Sequence, residues 1–472
     1  MEKLKPSRAE RFDEQYPFFR VMREEFRRIA EGIMNGSIVT SHASEGRRVG
    51  VELEFSCITK DGSPLSEAVR NRIVDENPKY QQELGAAQIE IMTPPIFVTA
   101  SKGFSALRDS MHVETQRLVQ ILAQNNALVV RFGADPIVPL TEAIRTRGKE
   151  RYLTVPNFHQ RNLRKGLPIQ IGRGAGLVPC DQAIYTGAMS SVQYNLDCHS
   201  PEEALALLNY SLGTGPYAVA LGANARFFGG VDTGLADIRA IVWEFSHDIR
   251  TAEEVSMKLS GRTGLPTNYY GTLSDYFQEI YDQPSILNDV EHAFDRGCGL
   301  YWRDTRIKFL KRDTPGAQIV LEFRPLSLQP SCIEDYAMLA FSLGHTYESY
   351  IRGLPLLPMA YLHDNRWAAM EDGINGNLWM FTKSGHLAFR AARDVLREQT
   401  VLAKDGLKRL GASNAEICEA EEIWKERLMD GCPSDLAFIR LRDRWAKRTM
   451  GNKPIDHELL REELLANTNG GL

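Results

Sequence analysis

Most short catalytic signatures are missing from this chain. Its 472 residues contain no GxxxxGK[ST] phosphate loop, no GxGxxG after a strand, no HExxH and no GxSxG. Any ATP chemistry must therefore proceed without a P-loop. The seven cysteines (57, 180, 198, 298, 332, 418 and 432) form no CxxC pair and no Cys/His zinc spacing. They read as reduced thiols, none with a local case as a nucleophile. The ten histidines are dispersed, each better explained as a surface or core residue than as a metal ligand. No apolar run approaches the roughly 20 residues that span a bilayer. Met1-Glu2-Lys3-Leu4-Lys5-Pro6 lacks the apolar stretch of a signal peptide. A net charge of −5 gives no electrostatic case for nucleic acid or an anionic membrane. The expectation is a cytoplasmic protein that handles small molecules. Its oligomeric state is not readable, and no heptad run argues for one.

What is present is ordinary in bulk and informative in detail. The hydrophobic content of 43% suits a globular protein, and the length suits one large core with extensions. Residues 1–45 read as a helical lead-in, because Phe12, Phe18, Phe19, Met22, Phe26 and Ile29 recur near helical spacing. Residues 46–355 mix strand signals (49–58, 87–93, 127–133, 189–198, 299–310, 317–326) with helical stretches (101–124, 201–213, 334–351). Ser200-Pro201-Glu202-Glu203 is a helix start: cap, proline, acidic first turn. Residues 356–472 read as helical and charged, with a disordered tail near 466–471. Gly172-Arg173-Gly174-Ala175-Gly176 reads as a plain loop.

Four strand segments share one rhythm. In Gly50-Val51-Glu52-Leu53-Glu54-Phe55, apolar and acidic residues alternate. Glu52 and Glu54 thus share a face, roughly 6.5–7 Å apart. Gln88 and Glu90 repeat the pattern, as do Gln193, Asn195 and Asp197, and finally Glu322 and Arg324. One sheet face in water would explain any single strand. A solvated face normally mixes in lysine, serine and threonine, yet lysine is absent from all four segments. Carboxylates and carboxamides are hard oxygen ligands suited to Mg²⁺ or Mn²⁺. Several such acids on a curved sheet could hold more than one ion against nucleotide phosphates. A basic and aromatic cluster adds Arg239, Trp243 and Arg250, whose arginines could fork a carboxylate or could serve as helix-end salt bridges. Lys149-Glu150-Arg151-Tyr152 alone is a charged helix end.

Together these residues resemble the glutamate–cysteine ligase superfamily of glutamine-synthetase-like carboxylate–amine ligases, in its plant and proteobacterial branch. Gly50–Phe55 is similar to the family's GxExE strand. Glu83–Glu90, followed by Thr93-Pro94, is similar to its second acidic segment. Ser191–Asp197 resembles its VQVNLD strand, Arg151-Tyr152 its upstream Arg-Tyr, Arg239 with Trp243 its R-x-x-x-W segment, and Glu322-Phe323-Arg324 its E-x-R strand. Asn365-Arg366-Trp367 and Gly373 resemble a helical segment of related ligases. The stretch Gly85-Ala86-Ala87-Gln88, Pro325 and Ser327 depart from the family pattern.

The resemblance implies an α+β fold: a curved, mainly antiparallel sheet forming a glutamine-synthetase-like cradle, helices on its outer face, and a helical C-terminal region. It implies an ATP- and Mg²⁺-dependent ligase using two or three ions, with Mn²⁺ as a substitute, that forms a γ-glutamyl-type amide through an acyl phosphate. Glutamate is the first candidate donor and cysteine one candidate acceptor. Glu52, Glu54, Glu83, Glu90, Gln193 and Glu322 are the implied metal-site residues. Gln193 and Asn195 would touch nucleotide, and Arg324, Glu52 and Glu322 would serve catalysis. Arg239, Trp243, Tyr152, Arg151 and Arg250 would line the substrate pocket. A ligase with another amine acceptor, a nucleotide- or amino-acid-binding regulator, and a glycosidase with paired carboxylates are the alternatives.

Overall fold

The computed structural model describes residues 3–38, 46–140, 146, 149–167, 170–311, 317–449, 461, 462 and 464. The tail expected near 466–471 lies outside them. One long strand, β1 (Arg48–Thr59), organises the sheet. The others are β2 (Tyr80–Gln82), β3 (Gln88–Met92), β4 (Ile96–Phe97), β5 (Ala127–Val130), β6 (Ser191–Asp197), β7 (Thr305–Lys311) and β8 (Ala317–Ser327). Their order is β7-β8-β6-β1-β3-β2, with β4 and β5 pairing to the two ends of β1. Every pairing is antiparallel, and the sheet curls into half a barrel. The expected α+β class and antiparallel cradle are what the chain adopts.

Apolar alternation fixes which face lies inward. Val51, Leu53, Phe55, Ile89, Ile91, Tyr194, Leu196, Leu321 and Phe323 are all buried in one continuous core. A one-residue slip of any strand would turn this set toward the polar face. Helices α1 (Phe18–Met34), α2 (Gly103–Gln124), α3 (Glu150–Asn162), α4 (Pro201–Gly222), α5 (Arg239–Ser246) and α6 (Cys332–Ile351) surround the sheet. Of these, α4 and α6 contribute Leu207, Leu208, Leu339 and Leu343 to that core. Ser200 Oγ caps α4 as expected, accepting from Glu203 N. The helix then continues to Gly222, past the expected end at 213.

Further on come α7 (Met359–Asp372), α8 (Ala392–Arg409) and α9 (Asn414–Asp430). The last is pinned to α6 by a 2.8 Å hydrogen bond from Trp424 Nε1 to Ala337 O. The all-helical reading of this region missed a hairpin, β9 (Asn377–Phe381) with β10 (Leu387–Ala391). Gly385, at φ +78°, turns it, and Trp379 packs on Phe389 with ring centroids 4.9 Å apart. The expected strand 299–310 is broken at Asp304, with Trp302–Arg303 pairing elsewhere. Among the described residues no helix is long and apolar enough to cross a membrane.

Three departures from the family pattern have structural causes. Residues Arg324 and Pro325 together oppose the single residue Gln193, because the β8–β6 register runs Phe323↔Tyr194 and then Leu326↔Val192. This is a β-bulge, a place where proline costs no ladder hydrogen bond. Ser327 Oγ donates to Asp237 Oδ2 at 2.6 Å and so anchors the approach to α5. At Gly85 a Cβ would lie 1.9 Å from Gly187 O, so only glycine lets the two segments touch. Gly85→Ala is therefore expected to destabilise the protein by about 1–3 kcal/mol. Gly213→Ala, in α4 with its nearest neighbour at 4.0 Å, is expected to stabilise it by up to about 1 kcal/mol. Chemical denaturation of the two variants checks both signs.

Candidate functional site

The polar face of β1, β3, β6, β7 and β8 forms a strip with two electrostatic poles. Cross-strand register builds it: Glu54 lies opposite Glu90, Glu52 opposite Gln193, and Glu322 opposite both Asn195 and Arg306. Facing side chains on paired strands are close enough to interact directly.

At the acid pole, Glu90 is buried. Burial first, then the Glu83, Glu52 and Glu54 carboxylates, push its pKa well above the usual carboxylate range, with Lys308 opposing. Glu54 is raised too, by burial and by Glu83, against Arg239, Ser191 and Arg324. Two hydrogen bonds hold Glu54: Ser191 Oγ donates to Oε2 at 2.6 Å and Gln193 Nε2 to Oε1 at 2.8 Å. Asn195 Nδ2 donates to Glu52 Oε1 at 2.8 Å, and Asn195 Oδ1 is buried without a partner. Tyr152, on α3, belongs to this pole. Its hydroxyl donates to Gln82 O at 2.8 Å, Arg151 stacks over its ring at 4.8 Å, and Glu83 and Glu90 act on it.

At the basic pole the balance reverses. Glu322 is fully buried and held by three cations: Arg306, Lys308 at 2.5 Å and Arg324 at 3.2 Å. Those cations outweigh burial and keep its pKa well below the usual range. Lys308 also reaches Glu52 at 3.0 Å, and Arg324 donates to Gln193 Oε1 at 2.6 Å. Arg239 lies beside them, donating to Arg324 O at 3.0 Å, while its Nε–H is buried without a partner. With Trp243, Trp302, Arg324 and Arg366 it lines a small cleft. Arg366, from α7, is paired with Asp304 and Glu244, each at 2.6 Å.

The structure thus gathers Glu52, Glu54, Glu90, Gln193, Asn195, Glu322 and Arg324 on one strip, brings Glu83, just past β2, near its acid pole, and sets Arg239 and Trp243 at its basic end. It separates Tyr152 and Arg151 from that end. Arg250 is engaged: it forks Asp248 at 2.9 and 2.8 Å and donates to Leu259 O. Gln88, which shares a face with Glu90 by alternation, instead ties Gly85 N to Met189 O. Asp197 pairs with Arg48 at 2.5 Å. Arg306, Lys308 and Ser191 escaped the sequence reading. The alternation Thr305-Arg306-Ile307-Lys308-Phe309 was the available signal for the first two.

Oxygen donors whose mutual repulsion outlasts their hydrogen bonds fit a divalent cation. The Glu54–Glu90 pair meets that description, while Glu322, already offset by three cations, does not. Among the described residues no three His, Cys, Asp or Glu side chains converge tightly enough to hold an ion unaided. Mg²⁺ commonly takes one or two carboxylates and completes its shell with substrate phosphates and water.

Opposite pKa directions predict opposite stability effects. A raised folded pKa at Glu90 means that stability without divalent ions falls as pH rises above the unfolded carboxylate value of about 4.3. Glu90→Gln is expected to flatten that fall and to melt higher than the wild type at alkaline pH. A depressed folded pKa at Glu322 contributes stability above about pH 4.3 that is lost on further acidification. Glu322→Gln removes the one carboxylate shared by three cations, of which Lys308 alone keeps another in Glu52, and is expected to cost about 3–5 kcal/mol. Melting curves against pH in a chelator read both.

Comparison with known proteins adds a lineage. Residues 48–420 match the model of glutamate-cysteine ligase family 2. A Rubrobacter xylanophilus protein named "Putative glutamate–cysteine ligase 2-3" is 26% identical over 365 residues, 75% of this chain and 83% of the relative. Among solved structures, a glutamate–cysteine ligase of Francisella tularensis in complex with AMP aligns with a TM-score of 0.49 at 12% identity, over 92% of this chain and 94% of that one. A bifunctional glutathione synthetase of Pasteurella multocida aligns with a TM-score of 0.46 at 14% identity, over 89% of this chain. The chain spans 52% of the Pasteurella protein's length.

Proposed function

As the chain belongs to glutamate-cysteine ligase family 2, a family of carboxylate–amine ligases, we propose that it uses ATP and Mg²⁺ to join an amino-acid carboxylate to an amine. Glutamate is the first candidate donor and cysteine one candidate acceptor. The observation that carries this reading is the two-pole strip: under-compensated acids at one end, held arginines at the other, and Gln193 hydrogen-bonded to both. A reaction between a carboxylate and a nucleotide triphosphate brings anions together, and an arrangement of this kind offsets their repulsion.

In this reading the donor carboxylate attacks the γ-phosphorus of ATP, and the bond to the ADP oxygen breaks. The amine then attacks the acyl phosphate and inorganic phosphate leaves. Glu54 and Glu90, with Glu52 and Glu83 beside them, would hold Mg²⁺. When bound, the ion neutralises phosphate charge and orients the phosphate chain. Gln193 and Asn195 lie next to these acids and would touch the nucleotide. Arg324, gripped by Glu322 and Gln193, stabilises the transferred phosphoryl group without having to be ordered first. Glu322 therefore acts through Arg324, Arg306 and Lys308. The buried, unpartnered Nε–H of Arg239 takes the donor carboxylate, with Trp243 as a wall. Tyr152 and Arg151 serve the acid pole, and Arg250 braces Asp248. We also assign the catalytic core to residues 46–355, with the lead-in 1–45 and the region 356–472 as flanking parts; the latter contributes Arg366.

The test is an ADP-release assay with glutamate, ATP and Mg²⁺ against a panel of amines that includes cysteine, with product masses recorded. Glutamate- and amine-dependent ADP is the expected result, and product with cysteine alone would place the enzyme in γ-glutamylcysteine formation. No ADP with glutamate and any amine would overturn the donor assignment. Glu52→Ala is expected to lose at least about 100-fold in turnover, and full activity at saturating Mg²⁺ would overturn the metal assignment. Independently of activity, Mg²⁺ with ADP should raise the melting temperature of the wild type but not of Glu90→Gln.

A further inference from the structure

Next to the cleft of Arg239 and Trp243 lies a second cleft, lined by Glu244, Asp248, Thr263, Thr267, Arg303 and His363. Gly264 is the partition, lining the first cleft while its neighbours on either side line the second. It sits at φ +71°, and a Cβ there would lie 2.8 Å from Glu244 Oε2 and 3.2 Å from Arg366 Nη2. The wall between the clefts is thus glycine backbone with the Glu244–Arg366 ion pair packed against it. Arg303 borders both clefts but is committed, to the carbonyls of Gly261, Thr263 and Leu265, to the Tyr301 hydroxyl and to Glu279. Asp248 is committed to Arg250.

Two groups in the second cleft keep capacity. Glu244 uses Oε2 for Arg366 at 2.6 Å, which leaves Oε1. His363 Nε2 lies 3.1 Å from Pro266 O. A carbonyl only accepts, so Nε2 carries the proton and Nδ1 keeps a lone pair. Burial first, aided by Arg366 and Arg303 against Glu244 and the Pro266 carbonyl, lowers the pKa of this imidazole. It is therefore neutral at neutral pH, a base in a polar cleft one residue from the donor cleft.

We propose that the second cleft admits the amine acceptor and that His363 is the base that frees it for attack, an inference that rests on the ligase reading above. The acceptor enters as an ammonium drawn by Glu244 Oε1. His363 Nδ1 takes one proton, leaving a neutral amine with a free electron pair. The amine nitrogen bonds to the acyl carbon, the carbon–oxygen bond to phosphate breaks, and the second proton departs with the phosphate. The walls carry hydroxyls and charges of both signs, with Leu265 the one large apolar side chain. They suit a small polar amine, such as an amino acid, better than an apolar one.

The test compares full-length wild type with His363→Gln on two nucleophiles. Hydroxylamine is unprotonated at neutral pH and needs no base, whereas the best amine of the panel above arrives protonated. The variant is expected to keep hydroxamate formation within about twofold and to lose amide formation about 100-fold. That loss should shrink as pH approaches the amine's own pKa. Equal losses with both nucleophiles, or none with either, would overturn the base assignment. A wild type that makes no hydroxamate from glutamate or any other amino acid would overturn the ligase reading itself, which separates the two failures.

Discussion

The buried carboxylate of Glu322 is the point from which the site is held. It accepts from Arg306, Lys308 and Arg324, and each of those leads elsewhere. Lys308 carries the connection to Glu52, and Arg324 carries it to Gln193 and so to Glu54. A carboxylate buried with one cation is a doubtful gain in stability. With three it becomes a junction whose loss would take from each of them the carboxylate they share. The bulge at Arg324 and Pro325 puts the guanidinium at that junction, and the apolar underside of the sheet prevents the register from sliding away from it.

The two ends of the strip are built on opposite principles. At the basic end nearly every charge has its complement before any ligand arrives. At the acid end Glu54 and Glu90 face each other across two strands with too little to neutralise them. The fold keeps that repulsion because the surrounding core outweighs it. Like charges held together in this way are a departure from local consistency of the kind that folds keep at functional sites.

Much of this was legible in the sequence, and the failures have physical reasons. Alternation is local, so it identified the strands and sorted Glu52, Glu54, Glu90, Asn195, Glu322 and Arg324 onto one face. Contacts between distant strands are not local. Arg306 and Lys308 were visible as an alternating pair, but nothing near them in the chain announced that Glu322 would be their neighbour. Gln88 shows the converse: the right face by periodicity, yet its amide is spent on backbone at Gly85 and Met189. Arg151-Tyr152 and Arg239–Trp243 were pooled into one pocket because chain order carries no distance, whereas Tyr152 is hydrogen-bonded to Gln82 beside Glu83 and Glu90, and Arg239 to Arg324. Gly85, Pro325 and Ser327 looked like weaknesses in the family pattern. Each has a steric or hydrogen-bonding duty that a motif does not record.

The length of β1 bears on how the molecule is made. This strand pairs with β6 nearly 150 residues later in the chain, and β6 in turn pairs with β8, which is more distant still. Until those strands pair, its acidic face has no cationic neighbour and its apolar face no complete helical cover. Contacts so far apart in sequence are slow to close. Strands β3, β4 and β5, which lie nearer in the chain, can pair with β1 first, while the stretch of its edge that takes β6 stays open for longer. The polar strip, which needs β1, β6 and β8 side by side, is therefore among the last parts of the sheet to take shape.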